Sequence, residues 1–209
     1  MTDRSVTNTR QRRPEARPAE ILAAALDCFS ERGYSATRMT DVASRAGLSK
    51  AAIYLYFKDK MALLQALVET TVGDNLVQAQ GLATLHQGPV GPLLAQVLGM
   101  IAGRIGQSRL PELMKIIISE SRAHPEIGRF YLDNVINRGL PIFESLIRRG
   151  VAQGEFRPVD PVITVKSMIG PMLLAGIWRT VFEPLGGEPL DLDAYVRHNQ
   201  DMLLRGLRP

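Results

Sequence analysis

Apolar and polar positions along the chain repeat with the period of a helix. After a polar opening, Leu22, Ala25, Leu26 and Phe29 fall at i, i+3, i+4 and i+7, one face of an amphipathic helix. Pro18 sits where a first helical turn tolerates a missing N–H, and Gly33 suits the C-terminus. Thr40 is the expected N-cap of a short second helix over 41–46, with Val42 and Ala46 inward. Gly47-Leu48 makes a tight turn. Ser49 caps a third helix over roughly 50–57, with Ile53 and Phe57 on one face. Asp59 caps a long fourth helix from Lys60, with Met61, Leu64 and Val68 in register.

The pattern continues to the C-terminus. Gly88-Pro89 and Gly91-Pro92 mark a loop, and Leu93 to Gln107 reads as helix. Pro111 starts another helix through Ile117 to about Arg122, which His124-Pro125 breaks. Glu126 to Gly150 is a long helical segment in which Pro141 predicts a kink or break. Gly154 to Asp160 is a turn. Asp160-Pro161 opens an almost uncharged helix to Phe182, with Pro171 inside it. After Gly186-Gly187, Asp191 begins a last helix with Leu192, Tyr195, Val196, Met202 and Leu203 as its stripe. No strand is convincing. The expected fold is all-α with about nine helices: a flexible arm over 1–16, an N-terminal three-helix unit over 17–60 and a helical unit over 61–209.

Composition narrows the class. The 209 residues are 45% hydrophobic and 22% charged, as in an ordinary globular protein. A single cysteine excludes an internal disulfide and a cysteine-rich zinc site. The Arg-rich opening lacks the apolar core of a signal peptide, and the most apolar stretch, Met168 to Trp178, falls short of a membrane span. The expectation is a soluble cytoplasmic protein with no membrane partner. Charge adds a direction. Residues 1–60 carry 11 Lys/Arg against 7 Asp/Glu, while residues 61–209 carry 14 of each. The whole excess lies at the N-terminal end, which asks for an anionic partner there.

The second and third helices supply that partner. Two short helices joined by a Gly-containing turn form a helix-turn-helix pattern. Gly47 tolerates the left-handed turn. Ile53 and Phe57 bury one side of the third helix, and Ser49, Lys50, Tyr54 and Tyr56 are left on the other. Hydroxyls, lysines and aromatic rings are suitable partners for phosphates and base edges in a major groove.

The run Thr40-Asp41-Val42-Ala43 … Ala46-Gly47-Leu48-Ser49-Lys50 … Ile53-Tyr54-Leu55-Tyr56-Phe57-Lys58-Asp59-Lys60 resembles the signature of the tetracycline-repressor (TetR) family. The helix from Ile21 to Gly33 and the following Tyr34-Ser35-Ala36-Thr37 also fit, so the resemblance covers about residues 18–65. It implies a dimeric, ligand-responsive repressor. By position, it implies phosphate contacts at Thr40, Tyr54, Tyr56 and Lys60, and groove-facing positions at Arg45, Ser49, Lys50, Ala51 and Ala52. The family often has glycine where Ala51 stands and a hydroxyl residue where Ala52 stands. An alanine methyl can touch a thymine methyl but cannot hydrogen-bond, so base reading leans on Arg45 and Lys50, or on DNA shape.

Other signals are weaker. Gly47-Leu48-Ser49-Lys50-Ala51 imitates a nucleophile elbow, but a helix rather than a strand precedes it. Cys28 lies inside the first helix and reads as a buried structural thiol. His86, His124 and His198 lack ligand spacing, and no metal or cofactor is implied. Gly99 and Gly103 suggest close helix packing at most. The arginine arm over 1–16 is expected to touch DNA transiently.

In the second unit, Met100, Met114, Ile118, Phe130, Tyr131 and Met172 are candidate walls of an apolar pocket, with Arg104 as a polar candidate inside it. Gln96, Glu120, Arg122 and Asn134 are further polar groups that need internal partners or a ligand. The segment 162–182 is apolar on nearly every side and must be covered. A second copy, through the last two helices, is the simplest cover. The reading is a DNA-binding transcriptional regulator released from operator DNA by a hydrophobic small molecule. The alternative is a helical carrier or enzyme whose basic N-terminus is incidental.

Overall fold

Nine helices and no strand are formed among residues 17–209, the part that the computed structural model describes; the basic arm expected over residues 1–16 lies outside it. They are α1 (Arg17–Arg32), α2 (Met39–Arg45), α3 (Lys50–Ile53), α4 (60–85), α5 (Val90–Gln107), α6 (Leu110–Glu120), α7 (125–152), α8 (Pro161–Leu185) and α9 (Leu192–Leu207). Three of these contain a π turn: Glu69–Gly73 in α4, Leu132–Ile136 in α7 and Trp178–Phe182 in α8.

Most helix ends follow local chemistry. Gly33 and Gly47 take φ of +82° and +65°, the left-handed values that let α1 stop and α2 turn into α3. Side chains of Ser49, Asp59, Asp160 and Asp191 each accept a main-chain N–H of the helix they open.

Four boundaries differ from the expectation. α2 begins at Met39, so Thr40 is a helical residue and not its cap; the Asp41 carboxylate closes that end by accepting the Arg38 N–H at 2.9 Å. α3 ends at Ile53, and residues 54–56 continue as a tighter turn in which Leu55 N–H bonds the Ala52 carbonyl. α5 starts at Val90, before Pro92, because a first turn has no intrahelical use for its N–H groups. Glu155 satisfies two of them, accepting from Val90 N at 2.5 Å and Gly91 N at 2.7 Å. Pro141 does not break its helix, while the helix containing Pro171 runs on as expected. The carbonyls they leave unbonded belong to Asn137 and Ser167, both exposed, where water can take them.

As a result α8 runs 25 residues without interruption and is long and apolar enough to cross a membrane by length and composition, beyond the short stretch expected from sequence. Its face of Val165, Met168, Met172, Ala175 and Gly176 is buried in the protomer. Val162, Ile163, Leu173, Leu174 and Phe182 remain exposed.

Three apolar clusters hold the helices. The first joins α1–α4 to Leu113, Ile116 and Ile117 of α6 and Ile127 of α7. The helix-turn-helix end therefore shares one core with the second unit. The second cluster packs α4, α5, α7 and α8 around Leu94, Leu146 and Ile147, and the third joins α5, α8 and α9 around Ile105, Met172 and Val196.

Candidate nucleic-acid interface and small-molecule cavity

α2 and α3 lie against α1 through Val42, Ala43 and Ile53, all buried in the first cluster. That packing turns the opposite side of α3 outward. Ser49, Lys50, Ala51, Tyr54, Leu55 and Tyr56 are exposed there, Ala52 is half-buried, and Thr40 is exposed on α2. With Arg45, also exposed, eight of the nine sequence candidates are thus at least partly open to solvent on α2, α3 and the turn after it.

Their availability differs. Ser49 Oγ accepts the Ala52 N–H at 3.1 Å as the cap of α3, so one of its lone pairs is committed. Arg45 is exposed but paired: its guanidinium meets Glu31 at 2.6 Å and lies 3.9 Å from Cys28 Sγ. The Glu31 hydrogen bond raises the Arg45 pKa, and the same bond lowers that of Glu31. Cys28 is buried, and burial pushes its thiol pKa up.

Lys60, the ninth candidate, is turned to the loop between α1 and α2. Its Nζ donates to the main-chain carbonyls of Tyr34 at 2.7 Å and Ser35 at 3.1 Å, and sits 4.6 Å from the centre of the Tyr34 ring. Burial lowers its pKa, against the charge of Glu120. Burial also pushes the Tyr34 pKa up to about 12, helped by the charges of Glu126, Asp59 and Glu120.

The same loop is held from the other unit. Glu120 accepts the Tyr34 N–H at 3.0 Å and the Ser35 hydroxyl at 2.8 Å. His124 Nε2 lies 2.9 Å from Ser35 Oγ, and its ring meets that of Tyr34 edge-on. Further along α1, Arg109 bridges Asp27 and Glu112, and Ser30 donates to Glu112. No spacing rule marks these partners, because they come from segments more than eighty residues apart. Glu120 was one of the polar groups expected to need a partner, and the loop supplies it. Asn134 is satisfied by the Phe130 carbonyl at 2.9 Å, while Gln96, Arg104 and Arg122 are exposed.

The seven pocket candidates differ in burial. Ile118 and Arg104 are exposed, Met100 and Met114 half-buried, and Phe130 and Tyr131 pack against the first cluster. Only Met172 lines a cavity of about 290 Å³ between α5, α8 and α9. Leu98, Met168, Pro171, Val196, Met202 and Leu203 form the rest of its apolar wall. Ser167, Asn199 and Gln200 also line it, the two amides each using an N–H on a main-chain carbonyl at 2.8 Å. Among the described residues, no group of three or more His, Cys, Asp and Glu side chains is placed to hold a metal ion.

Comparison with known proteins agrees with both halves. Residues 21–67 match the family described as bacterial regulatory proteins, tetR family, and residues 93–203 match the C-terminal domain of AefR-like transcriptional repressors. The HTH-type transcriptional regulator YhgD of Bacillus subtilis is 30% identical over 184 residues, 84% of this chain and 92% of the relative. The HTH-type transcriptional regulator RutR of Escherichia coli is 26% identical, over 97% of this chain and 96% of the relative. Among solved structures, a SmeT–triclosan complex superimposes with a TM-score of 0.76 at 25% identity, covering 93% of this chain and 92% of that one.

Proposed function

The chain belongs to the TetR family of bacterial transcriptional regulators, and we propose that within it this protein is a homodimeric repressor released from operator DNA by a largely apolar small molecule. The observation that carries the reading is the exposed outer side of α2 and α3, with Lys50, Tyr54 and Tyr56 projecting from a helix whose inner side is locked into the first cluster. Thr40, Tyr54 and Tyr56 contact phosphates, and Ser49, Lys50, Ala51 and Ala52 face the groove. Arg45 joins them only on leaving Glu31. Lys60 acts from behind, positioning the loop between α1 and α2.

Repression as the direction is supported by the match of residues 93–203 to a repressor C-terminal domain. Release by an apolar compound is supported by the methionine-rich cavity beside Met172, at the lower end of the size range of ligand sites, about 300–1,000 Å³. Dimerisation through α8 and α9 is supported by exposed Leu173, Leu174 and Met202, which an isolated protomer would leave in water. Its partner is operator DNA, so its place of action is the cytoplasm. A carrier or enzyme with an incidental basic end is not favoured, since the relatives are HTH-type transcriptional regulators.

Sequencing genomic DNA fragments retained by the purified protein tests the reading. Enrichment of a two-fold symmetric sequence with half-sites about one helical turn apart, or a multiple of it, is expected of a dimer. Retention without any sequence preference would overturn it.

A further inference from the structure

The turn between α6 and α7 sets a histidine against the loop that leads into the helix-turn-helix. The His124 N–H bonds the Glu120 carbonyl at 2.8 Å, and the His124 carbonyl accepts from the Ile127 N–H at 3.0 Å. Its side chain stays 31% exposed. Both ring nitrogens have a polar neighbour: Nε2 lies 2.9 Å from Ser35 Oγ, and Nδ1 lies 3.2 Å from a carboxylate oxygen of Glu126. Ser35 Oγ is in turn 2.8 Å from Glu120 Oε2, and the other oxygen of Glu120 holds the Tyr34 N–H.

Protons decide whether this chain can close. Three links run from Glu126 through His124 and Ser35 to Glu120. A carboxylate only accepts, a hydroxyl brings one proton, neutral imidazole brings one and imidazolium two. Imidazolium and hydroxyl together fill every link: Nδ1–H to Glu126, Nε2–H to Ser35 Oγ, and Ser35 O–H to Glu120. Neutral imidazole is one proton short, so one link is left with two acceptors face to face. Glu126 is prepared as an acceptor, because a hydrogen bond from its own main-chain N–H lowers its pKa, with help from His124 and Arg129. Lys60, over the Tyr34 ring, and the N-terminal end of α7 set positive charge against an imidazolium. The carboxylates of Glu120 and Glu126 offset it. The remaining neighbours are Tyr34, whose ring meets the imidazole edge-on, and Asp59, whose charge acts on Tyr34.

Histidine is the side chain that changes charge between about pH 5 and 8. We propose that His124 is a proton-operated latch between the two units: its imidazolium completes the chain that fixes the Tyr34–Ser35 loop, and its neutral form opens one link. Resting on the regulator reading above, operator affinity then rises on acidification, because the loop that orients α2 is held more firmly.

The test takes two readouts of the full chain at about pH 6 and pH 8, on either side of the histidine titration. The first is exchange of the Tyr34 amide hydrogen, corrected for the intrinsic effect of pH. Its protection should be about two- to fivefold greater at the lower pH, the range of an exposed charge pair. The second is affinity for the operator that the protein itself selects. It should rise by a similar factor relative to His124→Gln, which can keep an N–H toward Ser35 but gains no proton. Glu126→Gln separates the latch from plain packing. Its amide can donate to neutral Nδ1, so all three links close without the extra proton. Tyr34 protection and operator affinity at the higher pH should then approach those of the parent at the lower pH, and the pH dependence should vanish. Tyr34 protection that is the same at both pH values in the parent overturns the inference while the regulator reading stands, as does a pH dependence that survives Glu126→Gln. Protection that follows pH while operator affinity does not severs the latch from DNA and overturns the inference too. If no DNA sequence is enriched, the regulator reading fails, and amide exchange still decides whether the latch exists.

Discussion

The carboxylate of Glu120, at the end of α6, accepts the main-chain N–H of Tyr34, in the loop that leads from α1 into the helix-turn-helix. This hydrogen bond spans 86 positions of sequence and joins the unit that carries the cavity to the unit that faces DNA. Its neighbours make it a junction: Ser35 donates to the other oxygen of Glu120, and Lys60 holds the carbonyls of Tyr34 and Ser35. A shift of α6 would therefore reach α2 through main-chain atoms as well as through the shared apolar cluster. A ligand can use such a path only if it prefers one of two arrangements of it.

Glu120→Ala should leave the part-buried Tyr34 N–H without its acceptor, while the exposed Ser35 hydroxyl keeps His124 and water. The expected loss of stability is about 1–3 kcal/mol, seen as a lower urea midpoint with an unchanged slope. Operator affinity should also fall, because the loop that orients α2 is loosened. Parent-like stability and affinity would mean that the apolar cluster alone joins the units.

Lys50 and Lys60 should separate in salt titrations. A phosphate contact contributes about 0.9 to the log–log slope of binding against salt. Lys60→Met keeps the packing over Tyr34 but removes two hydrogen bonds, so it should reduce stability while leaving that slope unchanged. Lys50→Ala should leave stability unchanged and weaken specific binding by about 1–3 kcal/mol per half-site if Lys50 meets a base edge. A slope that drops by about one in Lys60→Met would return Lys60 to the phosphate contacts.

Tyr34 gives the protein an alkaline limit. Its pKa is raised to about 12 in the fold, against about 10 in an unfolded chain. The folded state then binds the phenolic proton more tightly, so this contribution is complete below about pH 10 and is lost as pH rises through 12. Lys60 works in the opposite sense, because its lowered pKa makes the folded state release a proton earlier. Tyr34→Phe should flatten the fall in stability above pH 10, measured by urea unfolding at stepped pH. An unchanged alkaline limb would assign the fall to other groups.

Much of this architecture is legible in local sequence, because it depends on neighbours along the chain. The spacing Leu22, Ala25, Leu26, Phe29 marks the buried side of α1, and Gly33 and Gly47 mark turns that need positive φ. Ser49 and Asp59 announce the starts of α3 and α4. The junction is not legible, since Glu120 and Tyr34 meet only after α6 packs on α1. The cavity is equally hidden. Met100, Met114 and Phe130 share an apolar character with Met172, but periodicity cannot tell which helices will face one another. Pro141 misleads in the other direction: it looks like a break until the exposure of Asn137 shows where its unbonded carbonyl can go.

Dimerisation through α8 and α9 should be lost on placing a charge at its exposed apolar positions. Leu173 is 38% and Met202 60% exposed in the protomer, so Leu173→Asp and Met202→Asp should leave the protomer folded. In a dimer each carboxylate would be buried without a partner, at a cost of several kcal/mol. Sedimentation should show helical monomers. Leu203→Asp is a poorer choice, since Leu203 packs against the second cluster and the protomer itself would suffer. Intact dimers from both exposed-site variants would place the interface elsewhere.

The cavity beside Met172 should decide ligand response. Its walls are apolar, and the unbranched side chains of Met168, Met172 and Met202 can repack around compounds of different shape. Screening apolar small molecules by thermal unfolding should find one that stabilises the protein. At a hundredfold excess over Kd the gain is about 2.7 kcal/mol. That corresponds to a rise of roughly 5–10 °C in Tm for a chain of this size. Val196 is buried and lines the same cavity, so Val196→Phe should fill it and abolish the rise. Overpacking of this kind costs about 1–3 kcal/mol, and sedimentation should confirm that the variant remains dimeric. Its operator affinity should stay close to that of the parent, because α9 lies outside the first cluster that positions α2 and α3. If the compound releases operator DNA, reciprocity requires operator DNA to weaken the compound's binding by the same factor. Calorimetric titration of the parent with and without operator measures that factor directly. Equal affinities in the two titrations would sever the cavity from DNA release, and a Tm rise that survives Val196→Phe would place the compound elsewhere in the fold.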